Sequence, residues 1–167
     1  DSLLYKLSNK AGGAKIYRAY TNTGAFGYTY TLYNEYGDTI TDIESVSKHI
    51  IIVFETNNAV SSNEVVYNEF EYMLEDVIGK VQDLNPNGQL PKVNLIGHSR
   101  GGITNLQFAL DHPEYVESLI SIGTPYFGSE VAETVGAIFL GESAGLSDIN
   151  NLNKLNIPIK RTDKDGN

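Results

Sequence analysis

An α/β fold is what the sequence predicts: a mostly parallel sheet flanked by helices, with an antiparallel edge hairpin near the N-terminus. Three observations carry that reading. Apolar runs at residues 49–54, 93–96 and 116–122 are short and nearly continuous, as in strands buried on both faces. Helical patterns alternate with them at residues 66–84 and 103–110. Ahead of these lie two alternating stretches of aromatic and β-branched residues, separated by turn formers. Strands that alternate with helices imply βαβ units with right-handed crossovers.

Residues 1–12 show no clear period and end at Gly12-Gly13. Residues 15–20 and 28–33 are the two strands of the hairpin, with the turn at residues 22–27. Tyr36-Gly37-Asp38 is a turn, and residues 39–47 fit no single pattern. The run at 49–54 is the first buried strand, followed by a polar loop at 56–62. Ser61, with Glu64 three positions later, forms a capping box for the next helix. Val66, Phe70, Met73, Leu74, Val77, Val81 and Leu84 recur at helical spacing, with Glu69, Glu71, Glu75 and Asp76 between them. Asn85-Pro86-Asn87-Gly88 ends that helix. The strand at 93–96 follows and is expected to lie beside 49–54, since a single helix separates the two. A helix at 103–110 is broken by Asp111-His112-Pro113, and the strand at 116–122 closes at Gly123-Thr124-Pro125. A further helical pattern spans 130–140, with Val131, Val135, Ile138 and Phe139 on one face, before a polar, Asn-rich tail. Without internal repeats or a linker, residues 1–167 read as a single domain.

The net charge of −9 leaves no basic stripe to meet phosphates, which argues against nucleic acid as a partner. With no cysteine, disulfides, thiolate catalysis and cysteine-held metals are excluded. No run of 18 apolar residues is present, so no transmembrane helix is expected. The three histidines are scattered without metal-ligand spacing, and neither a metal nor a cofactor is expected.

The chemistry concentrates at Gly97-His98-Ser99-Arg100-Gly101, a G-x-S-x-G match with a strand before it and a helix after it. That context is the one a nucleophile elbow requires. A serine on so sharp a turn needs small residues two before and two after it, and Gly97 and Gly101 meet the demand. Ser99 is therefore the candidate nucleophile.

Together with Gly123-Thr124-Pro125-Tyr126-Phe127-Gly128-Ser129, the elbow resembles bacterial lipases and esterases of the α/β-hydrolase superfamily, over roughly residues 49–140. The resemblance implies cleavage of a carboxylic ester through an acyl-enzyme on Ser99, with an ester or lipid as substrate and transient contact with a lipid interface. It implies a secreted or extracytoplasmic bacterial location, with a cytoplasmic one as the alternative. The Arg100 N–H would be an oxyanion donor at a helix start, whereas its side chain is expected to be a solvated or ion-paired surface residue. Residues 130–156 would form a cap or lid. If 49–54 is the strand that carries the oxyanion loop, Thr56 becomes the second donor.

The remaining triad members do not announce themselves. His98 is the serine's neighbour in a tight turn and reaches it poorly. His112 ends a helix of about 11 residues, roughly 16 Å from Ser99, and His49 opens a strand. Asp148, Asp163 and Asp165 are weak candidates for the acid. The chain is thus expected to be part of a longer hydrolase, the alternative being a catalytically incomplete, hydrolase-like binding domain.

Overall fold

The computed structural model describes residues 2–43, 49–57 and 61–126. In chain order these form α1 (Ser2–Lys10), β1 (Lys15–Gly24), β2 (Gly27–Tyr33), β3 (Thr39–Ile40), β4 (Ile50–Thr56), α2 (Asn63–Leu84), β5 (Val93–His98), α3 (Arg100–Asp111), a 3-10 turn (Pro113–Tyr115) and β6 (Val116–Ile122). The pattern at 130–140, the segment 130–156, and Asp148, Asp163 and Asp165 lie outside the described residues.

The α/β class is as expected, but the sheet is mixed and divided. β1 pairs antiparallel with β2, which pairs antiparallel with β3. On its other side β1 pairs parallel with β4, from Lys15 opposite Ile50 to Thr21 opposite Thr56. β5 and β6 form a separate two-stranded parallel ladder. The sequence expects β4 and β5 to be neighbours; they are not hydrogen-bonded to each other. Periodicity reports how deeply a strand is buried, not which strand it pairs with. Among the described residues one face of β5–β6 is left uncovered: Ile96, Ile120 and Ile122 stay about half exposed, at 48%, 51% and 47%. Among the described residues α3 packs on the opposite face, through buried Leu95 and Phe108.

The helix α2 joins the two sheets. Its buried face (Val66, Phe70, Met73, Leu74, Val77, Ile78) meets Tyr17, Ala19 and Leu32 of the larger sheet and Leu95 and Phe108 of the smaller side. Three rings mark the seam: Phe54 lies 5.1 Å from Phe70, and Phe70 5.7 Å from Phe108, both edge-on. Two local expectations shift. The cap of α2 is Ser62, whose hydroxyl accepts from the Val65 N–H at 3.3 Å, rather than Ser61. Residues 2–10 are helical although no long apolar stripe marks them. Only Leu4 and Leu7 are half-buried among its apolar side chains, and left-handed Gly12 and Gly13 end the helix.

At the far end of α3, His112 stacks on Phe108 and Tyr115 and hydrogen-bonds Glu71 at 2.7 Å, with Glu75 and Glu114 within 4.0 Å. Beside it the Tyr67 phenol reaches both Glu71 and Asp111 at 2.7 Å. Burial, the largest influence on His112, opposes its charge; the Glu71 hydrogen bond and the three carboxylates outweigh it and raise the pKa. A raised folded-state pKa stabilises fully below the unfolded value near 6.5, and the contribution fades as pH rises through the higher folded value. Melting of the parent is therefore expected to fall between pH 6 and pH 9. His112→Gln should flatten that slope by about 2–4 °C, the shift for roughly 1 kcal/mol in a domain of this size. Parallel slopes for parent and variant in calorimetry would remove this role.

Candidate active site

β5 runs straight into the turn at Ser99, and α3 begins at the next residue. Ser99 is the only non-glycine with positive φ among the described residues, at φ 52° and ψ −123°. L-residues avoid that region, so the surrounding structure must hold the serine there. It does so from both sides. The Ser99 N–H donates to Ile122 O at 2.9 Å, tying the turn to the end of β6, and the Gly102 N–H donates to Ser99 O at 3.1 Å.

The glycines divide their work differently from the sequence expectation. A Cβ at Gly97 would stand 2.5 Å from Gly102 N and 2.6 Å from the carbonyl carbon and oxygen of Gly101. Gly97 is small because the turn folds backbone directly over it. At Gly101 a Cβ would meet nothing within 4 Å, so it is the backbone of Gly101, not a missing side chain, that makes the crowding. The second position that excludes a side chain is Gly102, where a Cβ would fall 1.9 Å from Thr124 Oγ1.

That contact brings together two segments separate in the sequence. Thr124 of Gly123-Thr124-Pro125 packs on the first turn of α3, its hydroxyl buried without a hydrogen-bond partner. Tyr126 hydrogen-bonds Ser121 and reaches Gly102 O at 3.5 Å. Sequence spacing placed both motifs at strand ends; their direct contact follows from the parallel β5–β6 register, in which His98 lies opposite Ile122.

The Arg100 side chain, expected to be a solvated or ion-paired surface residue, is drawn into the fold. It is half-buried, with Nε donating to Asn63 Oδ1 at 2.7 Å and Nη2 donating to Ser61 O. The residue that opens α3 is thereby strapped to the loop leaving β4 and to the first residue of α2. Two helix N-termini and the C-terminal ends of β4 and β5 therefore meet at one edge, where helix dipoles favour negative charge. Arg100 opens α3, so its N–H points out of the helix end toward this edge rather than back along the helix.

Thr56 closes β4 at the same edge. Its hydroxyl donates to Glu69, whose carboxylate also accepts from Thr21 at 3.0 Å and Thr23 at 2.7 Å. Glu69 is fully buried, whereas the helical pattern set it among the polar positions. The hydroxyl-bearing residues that receive it sit on β1 and β4, far away in sequence, and no local signal reports them.

None of the three histidines stands at Ser99 as a base. His112 caps the C-terminal end of the 12-residue α3, about 18 Å away by helix rise. His49 precedes β4 at the opposite edge, and His98 is an exposed strand residue. Among the described residues, no group of three His, Cys, Asp or Glu side chains is arranged to hold a metal, and no helix is long and apolar enough to cross a membrane.

Residues 43–147 match the family model described as alpha/beta hydrolase fold. A triacylglycerol lipase of Pseudarthrobacter phenanthrenivorans is 48% identical over 56 residues, covering 34% of this chain and 18% of the relative. One of Burkholderia plantarii is also 48% identical over 56 residues, 34% of this chain and 16% of the relative. A putative carbamate hydrolase of Yersinia enterocolitica is 36% identical over 53 residues, 32% of this chain and 19% of the relative. The matched segments thus span less than a fifth of each relative's length.

Proposed function

The chain belongs to the alpha/beta hydrolase fold family, and from that premise we propose that it is a serine ester hydrolase of the lipase or esterase type, working through Ser99. The observation that carries the reading is the backbone of Ser99. A serine held at φ 52° in a turn whose backbone folds tightly over Gly97 costs stability, on the order of 1–3 kcal/mol. That cost makes sense where the turn presents a nucleophile. A base takes the Ser99 hydroxyl proton as Oγ attacks the ester carbonyl carbon, the carbonyl oxygen takes the negative charge, and on collapse the proton passes to the departing alkoxide, which leaves as the alcohol with an acyl-serine behind it. Water then releases the acid. The Arg100 N–H, at the start of α3, is our candidate for one oxyanion donor, and Thr56 for the second. Gly97 and Gly101 supply the backbone of the turn. The base and acid of the triad belong, in this reading, to residues beyond those described.

A fluorophosphonate probe tests the proposal, because it labels only an activated serine. Labelling of the intact protein, mapped to Ser99 by mass spectrometry, is the expected result; labelling at another serine would sink the assignment. The placement of all three histidines away from Ser99 favours a second reading, a hydrolase-like domain that binds without turnover. Complete absence of labelling would select it.

A further inference from the structure

The β1–β2 hairpin ends in a two-residue loop, Ala25-Phe26, closed by the Gly24–Gly27 pair. Such loops are ordinarily filled by Asn, Asp and Gly. Here both positions are apolar, and Phe26 is wholly exposed, at 105% of its reference surface. It packs on nothing in the fold, so its hydrophobicity contributes nothing to the folded chain's own core.

The stem beneath the tip is braced. Thr21 and Thr23 donate to buried Glu69 of α2, and Asn68 Nδ2 of the same helix donates to the Tyr28 hydroxyl at 3.0 Å. Pairing of β1 with β4 stops at Thr21 opposite Thr56. The ladder of β1 with β2 continues through Asn22, Thr23 and Gly24, so the tip stands roughly 10 Å beyond the end of β4. The hairpin points past the same edge at which Arg100 ties the β4–α2 loop to the Ser99 turn.

Charge decides what the tip fits. No Asp, Glu, Lys or Arg occurs between Arg18 and Glu35, so insertion of the hairpin end desolvates no ionic group. The net charge of −9 disfavours an anionic surface. Tyr28 and Tyr30 follow the tip along β2, each half-buried, and such amphipathic rings settle at the boundary between apolar phase and water.

We propose that the β1–β2 hairpin is an anchor for an uncharged lipid–water interface, with Phe26 entering the apolar phase and holding the Ser99 edge against it. The inference rests on the ester-hydrolase reading for its purpose, but its binding step does not require turnover. Residues 1–167 contain no tryptophan, so a tryptophan placed at position 26 adds its own emission. Phe26→Trp should bind phosphatidylcholine-coated triolein droplets as the parent does, with a blue shift of its emission. Phe26→Ser should bind on the order of ten- to a hundredfold more weakly, the loss expected for one exposed phenyl ring. Tyr36→Trp, 82% exposed at the other end of β2, should show no shift. The same comparison in a Ser99→Ala background keeps binding separate from catalysis: failure of Ser99 to react leaves the droplet result standing. Equal droplet binding by Phe26→Ser and parent, or equal blue shifts at positions 26 and 36, overturns the anchor.

Discussion

Ser99→Ala is expected to reduce hydrolysis of a soluble short-chain p-nitrophenyl ester by at least a factor of about 1000, while melting within a degree or two of the parent. On the proposed mechanism the rate loss follows because the acyl-enzyme has no atom to form on, and what remains is binding and oxyanion stabilisation alone. The preserved stability follows from the backbone. Alanine carries the same Cβ as serine into the same φ of 52°, so the strain of the turn is unchanged. The Ser99 side chain makes no capping bond to α3, so its removal costs the helix little. Assays of the purified variant beside the parent decide the matter. Undiminished turnover would show that the ester is cleaved elsewhere; a collapse of melting temperature would show that the hydroxyl has a structural duty.

Gly97→Ala should have the largest effect on stability, and Gly101→Ala almost none. The new methyl at 97 meets three backbone atoms at 2.5–2.6 Å, all belonging to the turn or to the start of α3. Backbone cannot rotate away as a side chain would, so the turn must open and release its hold on Ser99. A destabilisation of about 3 kcal/mol or more is expected, which lowers melting by roughly 10 °C. At Gly101 the space is open, and alanine is preferred to glycine in a helix by about 1 kcal/mol. Thermal unfolding of the two variants is the check. Similar melting temperatures for both would refute the crowding account of the elbow.

Local chemistry is what the sequence makes legible. The elbow is readable because its signature lies within a few residues: the strand before it, the glycine that must be small, the helix after it; the ties to Ile122 and Thr124 that hold it from the end of β6 are not. The same holds for α2, whose apolar spacing matches most of its buried face; for β6 the sequence locates the strand but not its exposure, since Ile120 and Ile122 stay about half exposed. Features that depend on partners far along the chain are not readable in this way. Nothing near Glu69 announces that Thr21, Thr23 and Thr56 will receive its carboxylate, so its place among the acidic residues of α2 points to solvent. The Arg100 side chain looks like a surface cation until the β4–α2 loop arrives beneath it. Strand order is hidden for a related reason: one crossover helix between β4 and β5 is compatible with neighbours or with strands set apart. The cap of α2 falls one residue later than its pattern because Ser61 and Ser62 stand side by side, and Arg100 claims the carbonyl of the first.

The backbone of residue 99 also bears on how this protein would respond to selection. Glycine is the one residue at home at that φ, so the sequence best suited to the turn lacks the hydroxyl altogether. Directed evolution for heat resistance alone would therefore drift toward Ser99→Gly, and on the proposed function a library enriched for survivors of heating would be depleted of esterase. Selecting for turnover after each heat step keeps the two properties together.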